Sequence, residues 1–295
     1  MNERDWKLLV VLHEQKSITK ASSVLHVTQP ALSARLRMIE EFFGVRVVIR
    51  GKKGVQFTPE GEFLVHKARC MLTELEGIHD TLGGMQNATA GTLRIGASHF
   101  FTRYLLPPLL KRFKSLHPAV EFRVRAGWTS DLVYGVLNNE AHLAFIREDH
   151  NWTGIKRLLF SEDLLLVYSK KFSLAELPGL PQIRFANEPS HQLLIENWWV
   201  ENYTVAPRVG MVVDRLDTCL EMIKVGLGYG FLPAWILHGV TGMHAKKLYH
   251  RSHAALERST WMILKNETAE LRLVREFLHM LDDVDFPTLR DKWAR

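Results

Sequence analysis

The chain has 295 residues, 46% hydrophobic and 24% charged, enough apolar material for a large core divided over two or three domains. Its two cysteines, Cys70 and Cys219, exclude a disulfide framework and point to a reducing compartment. Asn2-Glu3-Arg4-Asp5 lacks the apolar core of a signal peptide, and no apolar run is long enough to span a bilayer. The expected location is the cytoplasm, with no membrane partner. The formal charge is +6, and residues 1–58 hold ten cations against five anions. A small basic module on a near-neutral body points to a polyanion as the partner of that module alone.

Residues 4–15 predict a first helix, with Trp6, Leu9, Val10 and Leu12 available to pack beneath the next two. Residues 17–43 predict those two, a short pair joined by a tight turn. Ser17 is the N-cap of the first, and Ile18, Ala21 and Leu25 share one of its faces. Val27, apolar between His26 and Thr28, is expected to point inward. Thr28 caps the second helix, and Pro30 is tolerated in its first turn, where the amide needs no helical partner. Leu32, Leu36, Ile39 and Phe43 form its inward stripe, leaving Gln29, Pro30, Ser33, Arg35 and Arg37 outside. Short hydrogen-bonding residues followed by cations suit a helix that enters the DNA major groove. An ordinary amphipathic bundle is the other reading of the same pattern.

Gly44 ends this helix. Residues 45–49 and 55–57 are β-prone runs flanking Arg50-Gly51-Lys52-Lys53-Gly54, a hairpin with a cationic tip. Such a wing lies along phosphates, where Arg50, Lys52 and Lys53 add salt-dependent affinity and little base reading. Residues 1–58 therefore read as a winged helix-turn-helix domain. Thr58-Pro59-Glu60-Gly61-Glu62 starts a long helix with a cap, an early proline and acids in its first turn. Leu64, Ala68, Met71, Leu75, Ile78, Leu82 and Met85 keep heptad spacing along it. So narrow a stripe most simply pairs with a second copy of the chain. Packing against its own globular body is the alternative. Residues 59–91 are thus a linker helix and polar hinge.

From residue 92 the texture changes to alternating strands and helices. Strands are expected at 92–97, 120–126 and 142–147, with helices at 104–116 and 131–138, an order that implies a mostly parallel sheet covered by helices. Further strands fall at 164–169, 183–186, 208–213, 229–232 and 260–264, and helices at 192–203, 216–225 and 268–281. Residues 92–295 exceed one small domain, so two α/β lobes with a cleft between them are expected.

These residues resemble the LysR-type transcriptional regulators, a bacterial family. The motifs that carry the likeness are Ser17-Ile18-Thr19-Lys20-Ala21, Leu25-His26-Val27-Thr28-Gln29-Pro30-Ala31-Leu32-Ser33, Ile39-Glu40-Glu41-Phe42-Phe43-Gly44-Val45, Arg50 and Thr58-Pro59-Glu60-Gly61. Looser matches occur at Gly91-Thr92-Leu93-Arg94-Ile95-Gly96-Ala97, Leu106-Pro107, His117-Pro118 and Gly226-Leu227-Gly228-Tyr229-Gly230-Phe231-Leu232-Pro233. The resemblance implies an α+β multidomain protein: a winged helix-turn-helix, a dimerising linker helix, and a two-lobed effector domain like the type 2 periplasmic binding proteins. It implies a crossing to lobe II near residue 163 and a return near 267, giving lobe I as 92–163 with 267–295 and lobe II as 164–266. Expected partners are double-stranded promoter DNA at near-palindromic sites, a small effector, a second copy in a homodimer or homotetramer, and RNA polymerase.

Carried across residue by residue, Gln29, Pro30 and Ser33 match groove-contacting positions, Arg50 matches the wing arginine, and Thr28 and Thr58 match capping or phosphate-contacting residues. Ala34 stands where the family often has an arginine, and Val47-Val48-Ile49 replaces its usual Leu-Phe. Ser98 and Thr129 match effector-binding positions. Beside them lie His99, Trp128 and Arg147, at strand ends where helix amides point inward. Hydroxyls, helix N-termini and a cation together favour an anionic ligand such as a carboxylate or sulfate. Ser98 and Thr129 as plain helix caps, and Trp128 as packing, are the structural alternatives.

No enzyme is expected, and neither a cofactor nor a metal site. His238, His244, His250 and His253 lack cysteine partners and helical metal spacing. Gly226-x-Gly228-x-Gly230 precedes a strand instead of following one, so it reads as close backbone packing, not a nucleotide loop. Cys219 on a helix raises the question of redox sensing. The competing function is a sensor module acting only through protein contacts.

Overall fold

Asn2 starts the chain's first helix by accepting from the Asp5 amide at 3.2 Å, while Asp5 Oδ2 accepts from the Asn2 amide at 2.7 Å. The computed structural model describes residues 1–51, 54–84, 89–185 and 189–286. Lys52, Lys53 and Met85 lie outside the described residues, as do the side chains of Arg50 and Leu82. The chain divides into two compact units, Met1–Thr92 with Leu137–Glu140, and Leu93–Val136 with Ala141–Arg295.

In the first unit, α1 (Glu3–Gln15) lies with α2 (Ile18–Val24) and α3 (Gln29–Phe43) around Leu8, Leu9, Leu12, Ile18, Ala21, Leu32, Leu36 and Ile39. The caps are those expected: Ser17 Oγ accepts from the Lys20 amide, Thr28 Oγ1 from the Ala31 amide, and Gly44 closes α3 at φ +67°. Val27 departs from expectation. It is 45% exposed, because the turn packs through Leu25 and leaves Val27 on the outer side. β1 (Val48–Gly51) and β2 (Gly54–Phe57) pair antiparallel as the wing. Glu40 on α3 fixes its base by accepting from the Val47 and Val48 amides at 2.8 and 3.3 Å.

Thr58 Oγ1 then caps α4 (Pro59–Gly84), accepting from the Gly61 amide at 3.0 Å and donating to the Arg46 carbonyl at 2.6 Å. Gly61 is required here, since a Cβ would stand 2.1 Å from the Val47 carbonyl oxygen. The heptad stripe of α4 divides in two. Leu64 and Ala68 are buried in the core of their own domain, whereas Met71, Leu75 and Ile78 are exposed. The intramolecular alternative is therefore correct for the first two positions.

The second unit is built on β3 (Gly91–Ser98), α5 (His99–Tyr104), α6 (Leu106–Leu116), β4 (Val120–Gly127), α7 (Thr129–Leu137), β5 (Leu143–Arg147) and β6 (Ile155–Tyr168). It continues through β7 (Gln182–Phe185), α8 (Pro189–Asn202), β8 (Val209–Val213), α9 (Leu216–Lys224), β9 (Tyr229–Pro233), β10 (His244–Lys247), β11 (Glu257–Leu264), α10 (Asn266–Ala269) and α11 (Arg272–Asp282). The strand order is β4-β3-β5-β11-β6-β9-β7-β8, with β10 beside β6.

The long strand β6 carries the chain from one half of this sheet to the other. Its residues Ile155 to Asp163 pair with β11, and Leu164 to Tyr168 pair with β9. We call the half before this change lobe I and the half after it lobe II. β11 also pairs with β5 from Thr260 to Leu264, so this strand runs back beside a strand of lobe I. The glycine run behaves as expected: a Cβ on Gly228 would lie 2.1 Å from the Pro181 carbonyl oxygen, so β9 can approach β7 only with a bare backbone.

Candidate functional site

On α3 and its cap the exposed residues are Thr28, Gln29, Pro30, Ala31, Ala34, Arg37, Met38, Glu41 and Phe42. The face that would enter a groove is therefore hydroxyl, amide and small apolar at its N-terminal end, with Arg37 as the cation further along. Gln29 Oε1 accepts from Thr19 Oγ1 at 3.4 Å, which links the two helices of the motif. Two expected members of this face lie elsewhere. Ser33 is 8% exposed, because it sits on the flank of the Leu32 and Leu36 stripe. Arg35 donates from Nη2 to Asp5 Oδ2 at 2.7 Å and from Nε to Asp5 Oδ1, so its charge is committed inside the domain. Ser17 is half-buried and serves as a cap.

Burial alone would push the Asp5 carboxyl up. The Arg35 hydrogen bonds, the Asn2 amide and the Arg35 charge outweigh it and hold Asp5 below its ordinary value.

In the second unit, a cavity of about 210 Å³ opens between the lobes. Lobe I supplies Ser98, His99, Phe100, Arg103, Tyr104, Trp128 and Arg147 to its lining. Lobe II supplies Phe185, Asp214, Arg215, Leu216, Asp217 and Ile236. Four of the five expected effector residues thus come together. Ser98 also caps α5 through the Phe101 amide at 3.3 Å, and the His99 and Trp128 rings meet edge to face at 4.9 Å. Thr129 is not among the lining residues. Its hydroxyl accepts from the Arg147 amide and donates to the Arg147 carbonyl, both at 3.4 Å, tying the start of α7 to the end of β5.

Arg147 forms the floor of the cavity and is 1% exposed. Its Nη1 donates to Glu162 Oε1 at 3.1 Å and to Thr260 Oγ1 at 2.5 Å, and Arg258 Nε donates to the same Glu162 oxygen at 3.1 Å. Both guanidinium groups lie over the Phe100 ring, at 4.6 and 5.4 Å. This buried cluster joins β5, β6 and β11 where the lobes meet. His191 belongs to the same region, and burial, with Arg258 next, lowers its pKa to about 3, so it stays neutral.

The rim is also charged. Arg215 donates to both oxygens of Asp217 at 3.0 Å, and Arg103 reaches the same carboxylate from lobe I. The Arg215 hydrogen bonds lead the causes that take the Asp217 pKa down to about 2. Nothing in the spacing of Arg103, Arg215 and Asp217 marks them as cavity residues, because charges near helix starts are common and only the fold brings these helices face to face. Among the described residues there is no cluster of metal-ligating side chains, and His250 pairs instead with Glu201 at 3.1 Å. Among the same residues no helix is long and apolar enough to cross a membrane.

A winged helix-turn-helix and a two-lobed domain with a small-molecule cavity, in one chain, define a regulator that joins DNA reading to ligand sensing. Comparison with known proteins identifies which kind. The family model described as "LysR substrate binding domain" matches residues 86–285, and that described as "Bacterial regulatory helix-turn-helix protein, lysR family" matches residues 4–62. The chain belongs to the LysR family of DNA-binding transcriptional regulators, and it is not an enzyme. It is 35% identical over 289 residues to the uncharacterised HTH-type transcriptional regulator YraN of Bacillus subtilis, covering 98% of this chain and 100% of that protein. YkuM of the same organism, described in the same way, is 28% identical over 96% of this chain and 98% of its own length. The crystal structure of CbnR, a LysR family transcriptional regulator, superposes with a TM-score of 0.71 at 18% identity, covering 96% of this chain and 98% of that one, a likeness of fold. Family membership decides against a sensor that acts through protein contacts alone.

Proposed function

We propose that this regulator is switched by a small anionic effector bound in the cavity between the lobes. The observation that carries the reading is the convergence of Ser98, His99 and Trp128 on the same cavity as the Arg147 floor. A ligand acid placed there would meet a guanidinium in a largely dry site, where charge-assisted hydrogen bonds are strong. Trp128, Phe185 and Ile236 offer the apolar walls for the rest of the molecule.

We further propose that Gln29, Pro30, Arg37 and Arg50, with Lys52 and Lys53, meet a near-palindromic promoter site, with Thr28 near a phosphate. The protein would act in the cytoplasm as a homodimer through Met71, Leu75 and Ile78, assembling to a homotetramer that contacts RNA polymerase. The solved complex of CbnR with its target DNA, at 19% identity, supports the first part by fold.

A thermal-shift screen of small carboxylates, sulfate, amines and neutral metabolites tests the effector class. A ligand at a hundred times its dissociation constant stabilises the folded protein by about 2.7 kcal/mol. Stabilisation by acids is the expected result. Stabilisation by amines or neutral compounds only would overturn the anionic reading without touching the DNA-binding function.

A further inference from the structure

We propose that Asp217, held between Arg103 of lobe I and Arg215 of lobe II, is an electrostatic strap across the mouth of the cavity that keeps the two lobes in their present arrangement. Arg103 sits on α5 directly after the first strand of lobe I, and Asp217 sits in the first turn of α9 in lobe II, 114 residues away in sequence. Both line the cavity, so their ion pair spans it.

The strap differs in kind from the Arg147, Glu162 and Arg258 cluster. That cluster is buried, and two of its three members stand on the crossing strands β6 and β11, where it makes a fixed joint. The strap lies at the rim, with side-chain exposures of 53% for Arg103, 59% for Arg215 and 30% for Asp217. An exposed pair of this type adds little to folding and breaks readily. Its lobe II half is pre-set, because Arg215 grips both Asp217 oxygens and the Thr218 amide donates to one of them at 3.0 Å. Asp217 is therefore oriented before Arg103 arrives, and within this trio the Arg103 contact is the one that joins lobe I to lobe II. A bond that is weak alone, pre-organised on one side and placed where two lobes part can bias their opening without deciding whether the chain folds. The strap stands on this geometry and does not depend on what the effector is.

Hydrogen-exchange mass spectrometry on the full-length protein, without DNA or ligand, tests it. In Arg103→Gln and in Asp217→Asn, peptides covering α5 and the start of α9 should exchange about two- to five-fold faster than in the wild type. Peptides from α1 to α3 should be unchanged. The conservative Arg103→Lys, which keeps a cation facing Asp217, should exchange more slowly than Arg103→Gln, and Arg112→Gln, which removes the Arg112 to Asp283 pair outside the cavity, should leave exchange slow. Unchanged exchange in both single variants would overturn the strap. So would faster exchange over the whole chain, or the same response in Arg112→Gln. Each failure would leave the anionic-effector reading standing, since that is read by ligand stabilisation.

Discussion

Arg35 on the recognition helix donates two hydrogen bonds to Asp5, the N3 residue of α1, and Asp5 is 1% exposed. One carboxylate therefore closes the capping box of α1 and anchors α3 through its cation. A residue expected to meet DNA instead fixes the angle between the two helices.

The Asp5 pair gives the winged domain a definite pH response. Its folded pKa lies below the ordinary aspartate value of 3.8, so the stability it contributes is fully present above that value. That stability is lost as the pH falls through the lowered folded value. Asp5→Asn should flatten this acid limb and lower the urea midpoint at neutral pH, read by circular dichroism. Arg35→Ala should lower the midpoint as well but leave the salt slope of DNA binding unchanged, whereas Arg37→Ala should reduce that slope by about one.

Glu162 gives the matching prediction in the second unit. It accepts from Arg147 and Arg258 together and from the Trp235 amide at 3.3 Å, and its side chain is 2% exposed. Glu162→Gln keeps the shape but removes the charge that two buried guanidinium groups share. The expected cost is about 3–5 kcal/mol of unfolding free energy, measured by urea denaturation of the effector domain's tryptophan fluorescence. A cost below about 1 kcal/mol would mean that the cluster is not what joins β6 and β11.

The parts of the fold legible in the sequence are those with local causes. The caps at Ser17, Thr28 and Thr58 and the stop at Gly44 depend on neighbours within four residues, and each stands where expected. Ser98, His99, Trp128 and Arg147 are legible as strand-end residues. Partnerships over long separations are not. Asp5 with Arg35, Arg147 with Glu162 and Arg103 with Asp217 are all opposite charges with nothing in their spacing to mark them. The first half of β6 escapes a sequence reading for another reason: Ile155 to Asp163 alternates imperfectly because β6 carries one extra residue, Leu159, opposite the step from Thr260 to Trp261 in β11.

The two cysteines should separate cleanly in a thiol titration. Cys219 is 1% exposed, donates to the Ile183 carbonyl at 3.5 Å, and burial pushes its pKa up to about 12. That environment opposes thiolate formation and therefore redox sensing. Cys70 on α4 is half-buried. One thiol per chain should react with a maleimide in the native protein and two in urea, with mass spectrometry placing the native adduct on Cys70. A native adduct on Cys219 would reopen the redox question.

The helix α4 separates the folding of the winged domain from the pairing proposed for this protein, because its heptad stripe is buried in one half and exposed in the other. Leu64 is 7% exposed and Ala68 fully buried in the winged domain's core, while Met71, Leu75 and Ile78 are 51%, 37% and 49% exposed. Truncating a core leucine removes buried area and leaves a cavity, so Leu64→Ala should cost about 2–5 kcal/mol in urea unfolding. Leu75→Asp replaces an apolar side chain already in contact with solvent, so the single chain loses little on folding. In a helix pair the same aspartate would carry an unpaired charge into the seam. Light scattering should therefore show Leu75→Asp as a smaller species than the wild type, with weaker binding to a two-fold DNA site. Leu64→Ala should keep the wild-type mass at temperatures where it remains folded. If Leu75→Asp keeps the full mass, the exposed half of the stripe is not the surface through which two copies meet.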